Sequence, residues 1–90
     1  MQIRYSGSAV ADLDQLRNHI ARDNPAAADR TFTRILQSIA FLENFPRLGR
    51  VGILPGTREL AIQGLPYRAV YRIEGDTVLV LAVIHTSRWR

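Results

Sequence analysis

Ninety residues with 47% hydrophobic and 22% charged side chains suffice for one core and leave no room for two. The balance excludes a chain disordered by composition. The longest apolar run, Val78–Ile84, excludes a bilayer-spanning helix, which takes roughly 20 residues. Cysteine is absent, which excludes disulfides and thiolate metal sites. No long apolar stretch follows Arg4, so no signal peptide is read. The expectation is one domain over residues 1–90, soluble and cytoplasmic, with no cofactor, no metal and no membrane partner.

Twelve basic against eight acidic residues give a net charge of +4, and every basic residue is Arg. Arginine presents a planar fork of donors to carboxylate or phosphate and stays charged when half-buried. A basic excess of this kind favours an anionic partner, either nucleic acid or an acidic protein segment.

Gln2–Tyr5 reads as an edge strand. From Ser8 the apolar residues Val10, Leu13, Leu16 and Ile20 recur at helical spacing. Ser8 is the expected cap, with Asp12 and Asp14 toward the positive end and Arg17, His19 and Arg22 toward the negative one. Asn24-Pro25 opens a second helix, because Asn caps well and Pro fits the first helical position. Its stripe is Ala28, Phe32, Ile35, Ile39 and Leu42, and Phe45-Pro46 ends it. Some twenty residues at 1.5 Å each make a rod of about 30 Å, and the short turn predicts an antiparallel helix hairpin.

The Gly- and Pro-rich stretch 46–56 (PRLGRVGILPG) reads as an irregular loop. Beyond it the period falls to two, giving strands over Thr57–Gln63, Tyr67–Ile73 and Thr77–His85 with a tight turn at Gly75-Asp76. The expected fold is α+β: an N-terminal strand, then two helices laid on one face of an antiparallel sheet, in the order β-α-α-β-β-β.

A two-residue turn at Gly75-Asp76 sets Ile73, Tyr71, Ala69 and Tyr67 opposite Val78, Val80, Ala82 and Ile84, an apolar face for the helices to cover. The other face then pairs Arg72 with Leu79, Val70 with Leu81 and Arg68 with Val83, with His85 beyond. Leu79, Leu81 and Val83 form an apolar row that the helices, already used, do not reach. Either the sheet curls to shelter the row or a partner does. Leu60 and Ile62 are expected in the core, with Glu59 on the open face beside Arg68 and His85.

The strings GTREL (Gly56–Leu60), GLPYRAVYRI (Gly64–Ile73) and LAVIHTSRWR (Leu81–Arg90), behind Asp12-Leu13 and NPAAA (Asn24–Ala28), together resemble the RelE/ParE superfamily. Its members are toxins of type II toxin–antitoxin modules, often called plasmid stabilisation proteins, and the ParE branch is the nearer. The resemblance implies a small α+β domain neutralised by a cognate antitoxin with an acidic, flexible C-terminal segment. It gives Leu79, Leu81 and Val83 a use as the antitoxin-binding surface. ParE-like members inhibit DNA gyrase by binding it, whereas RelE-like members cut mRNA on the ribosome. Association as a homodimer or as a toxin–antitoxin heterotetramer is also expected, since an apolar sheet surface without its antitoxin drives self-association.

Two mechanisms follow. A gyrase inhibitor would use the arginine-bearing sheet and the C-terminal segment: Arg58, Arg68, Arg72, Arg88, Trp89 and Arg90. A metal-free ribonuclease would need a base, an acid and a phosphate clamp, for which Glu59, His85, Arg68 and Arg88 are the candidates. Some ribonuclease members of the superfamily use such a Glu, Arg and His. Against this, the chain has no Lys and no Tyr after Tyr71, both common in the RelE type. The bland alternatives are that Glu59 forms a strand-end ion pair and that His85 simply ends a strand. Trp89 either tucks back onto the domain or anchors a partner. His19 is expected at the surface, and Tyr67 and Tyr71 are expected to pack in the core. A third reading, a non-toxic RNA-binding module, fits the aliphatic row poorly, because nucleic acid favours aromatic platforms. The gyrase inhibitor is the expected function and the endoribonuclease the alternative.

Overall fold

The structure is a computed structural model and describes residues 1–88. Its elements are β1 (Gln2–Tyr5), α1 (Gly7–Ala21), α2 (Pro25–Ala40), a 3₁₀ turn (Phe41–Glu43), β2 (Arg50–Val51), β3 (Arg58–Ala61), β4 (Tyr67–Glu74), β5 (Thr77–His85) and a closing 3₁₀ turn (Thr86–Arg88). The α+β order is as expected, with two additions. The loop contains a two-residue strand, β2, and β1 runs parallel to β5, so the five-stranded sheet β1-β5-β4-β3-β2 is mixed. Among the described residues, no helix is long and apolar enough to cross a membrane.

Helix α1 starts two residues earlier than expected. Ser6, extended at φ −67°, accepts the Ala9 N–H on its hydroxyl at 3.1 Å, a cap worth about 1 kcal/mol. Ser6 therefore replaces Ser8 as the cap, Ala9 takes the first core position, and Val10 is left 47% exposed. Asn24 and Pro25 behave as expected, with Asn24 accepting from the Ala27 N–H at 3.0 Å. The regular helix ends at Ala40, and Leu42 reaches the core from the following 3₁₀ turn. Arg17 crosses the helix hairpin to lie over the Phe32 ring and pair with Asp29 at 2.8 Å.

The helices cover one face of the sheet. Leu13, Leu16, Ile35 and Ile39 meet Leu60, Ile62, Tyr71, Val78 and Val80 in a single core cluster. Tyr67 and Tyr71 are both buried there, and His19 is exposed, as expected. Tyr71 also clasps the loop: its hydroxyl donates to the Pro46 carbonyl at 2.7 Å and accepts the Gly49 N–H at 2.9 Å. A Cβ at Gly49 would sit 2.7 Å from the tyrosine ring and 2.9 Å from the Glu59 carbonyl, so only glycine allows this approach. At the hairpin, Gly75 has φ +60° and Asp76 does not, the pattern of a II′ turn.

The register holds from that turn as far as Tyr71 opposite Val80 and then shifts. A bulge falls between Val70 and Tyr71, so that Val70 faces Ala82, Ala69 faces Val83, Arg68 faces Ile84 and Tyr67 faces His85. Leu81 is the extra residue. The cause lies on the other side of β5. Strand β1 stops at Tyr5, opposite Val80, and beyond it α1 supplies the hydrogen bonds. The Ser6 N–H donates to the Val80 carbonyl at 2.9 Å, the Ser6 hydroxyl donates to the Leu81 carbonyl at 3.1 Å, and the Asp12 carboxylate accepts the Val83 N–H at 3.0 Å. One inserted residue reverses the alternation past it. The expected row of Leu79, Leu81 and Val83 therefore does not form. Val83 is 4% exposed and belongs to the core, while Leu79 and Leu81 are half-buried.

Candidate functional site

The helix-free face of the sheet carries Arg4, Arg50, Arg68 and Arg72, whereas Arg58, expected with them, lies opposite core Tyr71 on the other side. Register places Arg4, Leu79 and Arg72 side by side across β1, β5 and β4. A neighbouring row runs Ala82, Val70, Glu59 and Arg50 across β5 to β2. Arg68 completes the surface between Ile84 and Ala61. Alternation along β4 alone puts Arg68, Val70 and Arg72 on one side.

Glu59 is the hub of this face, and its residue is only 3% exposed. Its carboxylate accepts from Arg68 at 2.9 Å, from Arg50 at 3.4 Å and from the Ile53 N–H at 3.3 Å. Burial alone would raise this carboxyl. The Ile53 N–H, the hydrogen bonds from Arg68 and Arg50 and the Arg68 charge outweigh burial and hold it below the ordinary carboxylate value. Such a group is an ion-pair acceptor. A general base should instead be poised near neutral pH with an open lone pair toward its proton. The acceptor that Arg68 needs in mid-strand is thus internal, although its side chain keeps 19% exposure. Arg72 is more open and pairs with Glu74. Arg58 donates to the Gly49 carbonyl at 2.8 Å, which commits it to the loop.

His85 is not part of this group. Past the bulge it lies opposite Tyr67, and the two rings meet edge to face at 5.3 Å. The Ser87 N–H donates to His85 Nδ1 at 3.1 Å, which puts the proton of the neutral ring on Nε2. The ring borders a cleft on the helix side together with Asp12, His19 and Arg22. Glu59 and Arg68 are thus brought together, and His85 is turned to the other side of the sheet, contrary to the expectation of a shared surface. Trp89 and Arg90, assigned above to target contact, lie outside the described residues, as does the Arg88 side chain. Among the described residues, no three His, Cys, Asp or Glu are grouped to hold a metal ion.

A second surface escaped the sequence reading. Phe45, Leu48, Val51, Ile53 and Leu54 are all more than half exposed along the β2 edge, Val51 the most at 75%. The signal was present as four aliphatic residues in a Gly/Pro-rich loop too short to bury them. Asp12 was also missed as a structural residue. It sits between Ala9 and Leu16 on the apolar side of α1, where a carboxylate needs a donor.

Comparison with known proteins completes the site's context. A family model described as the ParE toxin of type II toxin–antitoxin system, parDE, matches residues 3–89. The chain belongs to that family. Among curated relatives, "Putative toxin Y4kP" of Sinorhizobium fredii is 38% identical over 87 residues, covering 97% of this chain and 90% of the relative. Toxin RelE2 of Caulobacter vibrioides is 29% identical, with 97% of each covered. The fold superposes on a chain of the chromosomal ParDE toxin–antitoxin system from P. aeruginosa with a TM-score of 0.87, at 25% identity and with 94% and 95% of the two chains covered. A chain of the E. coli RelBE complex gives a TM-score of 0.64 at 14% identity over 91% and 92% of the chains, a likeness of fold alone. This ParE-family chain is thus a toxin of the type II class, spanning nearly the whole of its relatives.

Proposed function

We propose that this toxin, a single domain over residues 1–90, acts in the cytoplasm by binding DNA gyrase rather than by cutting RNA. A cognate antitoxin with an acidic tail would hold it inactive. The separation of the would-be catalytic groups carries the reading. Glu59 is saturated by three donors and paired with Arg68, while His85 is fastened on the opposite face. Among the described residues, no base, acid and phosphate clamp converge, which favours an arginine face that serves for contact over one that transfers protons. Arg4 and Arg72 flank half-buried Leu79 there, with Arg68 farther along β4 on the same face, a setting suited to an acidic segment with apolar side chains. The solved relatives support an antitoxin partner, since one is a ParDE system and another an intact RelBE complex.

The test pairs two assays of the purified chain. Inhibition of supercoiling by gyrase, without cleavage of mRNA on translating ribosomes, is the expected result. Cleaved mRNA with unhindered gyrase would replace this reading with the endoribonuclease one. A toxic effect unchanged in His85→Ala is a further expectation of the binding mechanism.

A further inference from the structure

On the helix-free face, charge and apolar surface are ordered in one row. Arg4, Leu79 and Arg72 stand opposite one another on β1, β5 and β4, so half-buried Leu79 has an arginine on either side. Among the described residues, exposed Arg4 has no ion-pair partner, and Arg72 pairs with Glu74 through side chains that are both about half exposed. An exposed pair of this kind contributes at most about 1 kcal/mol, so an incoming carboxylate can replace Glu74 at little cost. Arg4, Arg50, Arg68 and Arg72 share this face with the carboxylates of Glu59 and Glu74, which leaves an excess of positive charge for a partner to meet.

Spacing decides the form of the occupant. Neighbouring strands lie about 4.8 Å apart, which sets the two arginine positions roughly 9.6 Å from each other with the leucine midway. An extended segment laid along the row carries same-side residues roughly 6.7 Å or 13 Å apart, and neither spacing matches. A helix rises about 1.5 Å per residue, so its positions i and i+7 lie roughly 10.5 Å apart on one face, with i+4 near the middle.

We infer that the partner segment read by this row is an acidic amphipathic helix of another protein, lying across β4, β5 and β1. Its acidic residues at i and i+7 pair with Arg4 and Arg72, and an aliphatic residue at i+4 rests on Leu79. This contact rests on the arginine face being a binding surface, the reading on which gyrase inhibition also depends.

Two alanine-rich helical peptides with blocked ends test it, by amide chemical-shift titration of the full chain at low salt. One carries Glu, Leu and Glu at i, i+4 and i+7; the other has the same composition with the second Glu moved to i+5, off that face. The first should bind about fivefold tighter, the contribution of one good exposed charge pair, and should shift the amides of Arg4, Leu79 and Arg72. Arg4→Gln and Arg72→Gln should each remove that preference while melting at the same temperature as the parent. Arg30→Gln, which takes the same charge from an exposed position on α2, should leave it unchanged. Absence of binding, equal binding of the two peptides, or an equal loss in Arg30→Gln would overturn the proposal. A chain that inhibits gyrase without discriminating the peptides would overturn this contact and leave the gyrase reading standing; discrimination with unhindered gyrase would support the contact and remove that reading.

Discussion

The turn end and the far end of the β4–β5 hairpin contain the same kinds of residue and sort them by opposite rules. Near Gly75, β5 is flanked by strands on both sides, and its odd-numbered Leu79 faces away from the helices. Past Val80 its neighbour on one side is the first turns of α1, and the odd-numbered Val83 enters the core. Side-chain chemistry does not distinguish Leu79 from Val83. What differs is the source of hydrogen bonds for the backbone, and the backbone demand decides which aliphatic residue is buried.

Substitutions can break this comparison, and the largest effect should come from Val83→Asp. An unpaired carboxylate in the core is expected to cost about 3–5 kcal/mol, whereas Leu79→Asp on the half-buried side should cost about 1 kcal/mol or less. Urea unfolding would show the two midpoints widely separated, and equal losses would mean that the two ends are not sorted as described. Next comes Glu59→Gln, which leaves Arg68 and Arg50 without their shared charge and should cost about 2–3 kcal/mol. It carries a pH signature. The folded carboxyl titrates below its unfolded value, so its stabilisation is complete above the unfolded value and disappears as pH falls through the folded one. Melting temperatures measured on acidification should therefore drop more steeply for the parent than for Glu59→Gln.

Asp12→Ala sharpens the contrast by removing the acceptor for the Val83 N–H. A loss of about 1.5–2 kcal/mol is expected, together with faster amide exchange at Val83 and unchanged exchange at Val78 near the turn. Uniform acceleration along β5 would argue against a local role for Asp12. The smallest effect belongs to His85→Ala. It removes one edge-to-face ring contact at the open end and should cost about 0.5–1 kcal/mol, measurable as a slight downward shift in the melting curve.

Those two ends also mark how far the sequence could be read. Alternation and the Gly75-Asp76 turn correctly set Ile73, Arg72 and Tyr71 against Val78, Leu79 and Val80, because a hairpin register propagates from its turn. Asn24-Pro25 fixed the start of α2 by local chemistry alone. The bulge was not legible, since it depends on contacts from Ser6 and Asp12 to residues over 70 positions away. That one hidden insertion misplaced Val83 and His85 together. The grouping of Glu59 with Arg68 survived because β3 and β4 pair without interruption. The apolar β2 border was not legible for a different reason: its aliphatic residues, Leu48, Val51, Ile53 and Leu54, follow neither a helical nor a strand period.

The parallel placement of β1 has a consequence for how the toxin comes into being. Its first strand completes the sheet only beside Thr77–Val80, and Ser6 reaches Leu81 across 75 positions. Pairings this distant along the chain are late and slow to form. During translation the opening segment must therefore wait until Thr77–Val80 has been made. The sheet is completed only after β5 has been made, and a shorter nascent chain does not carry the finished arginine face.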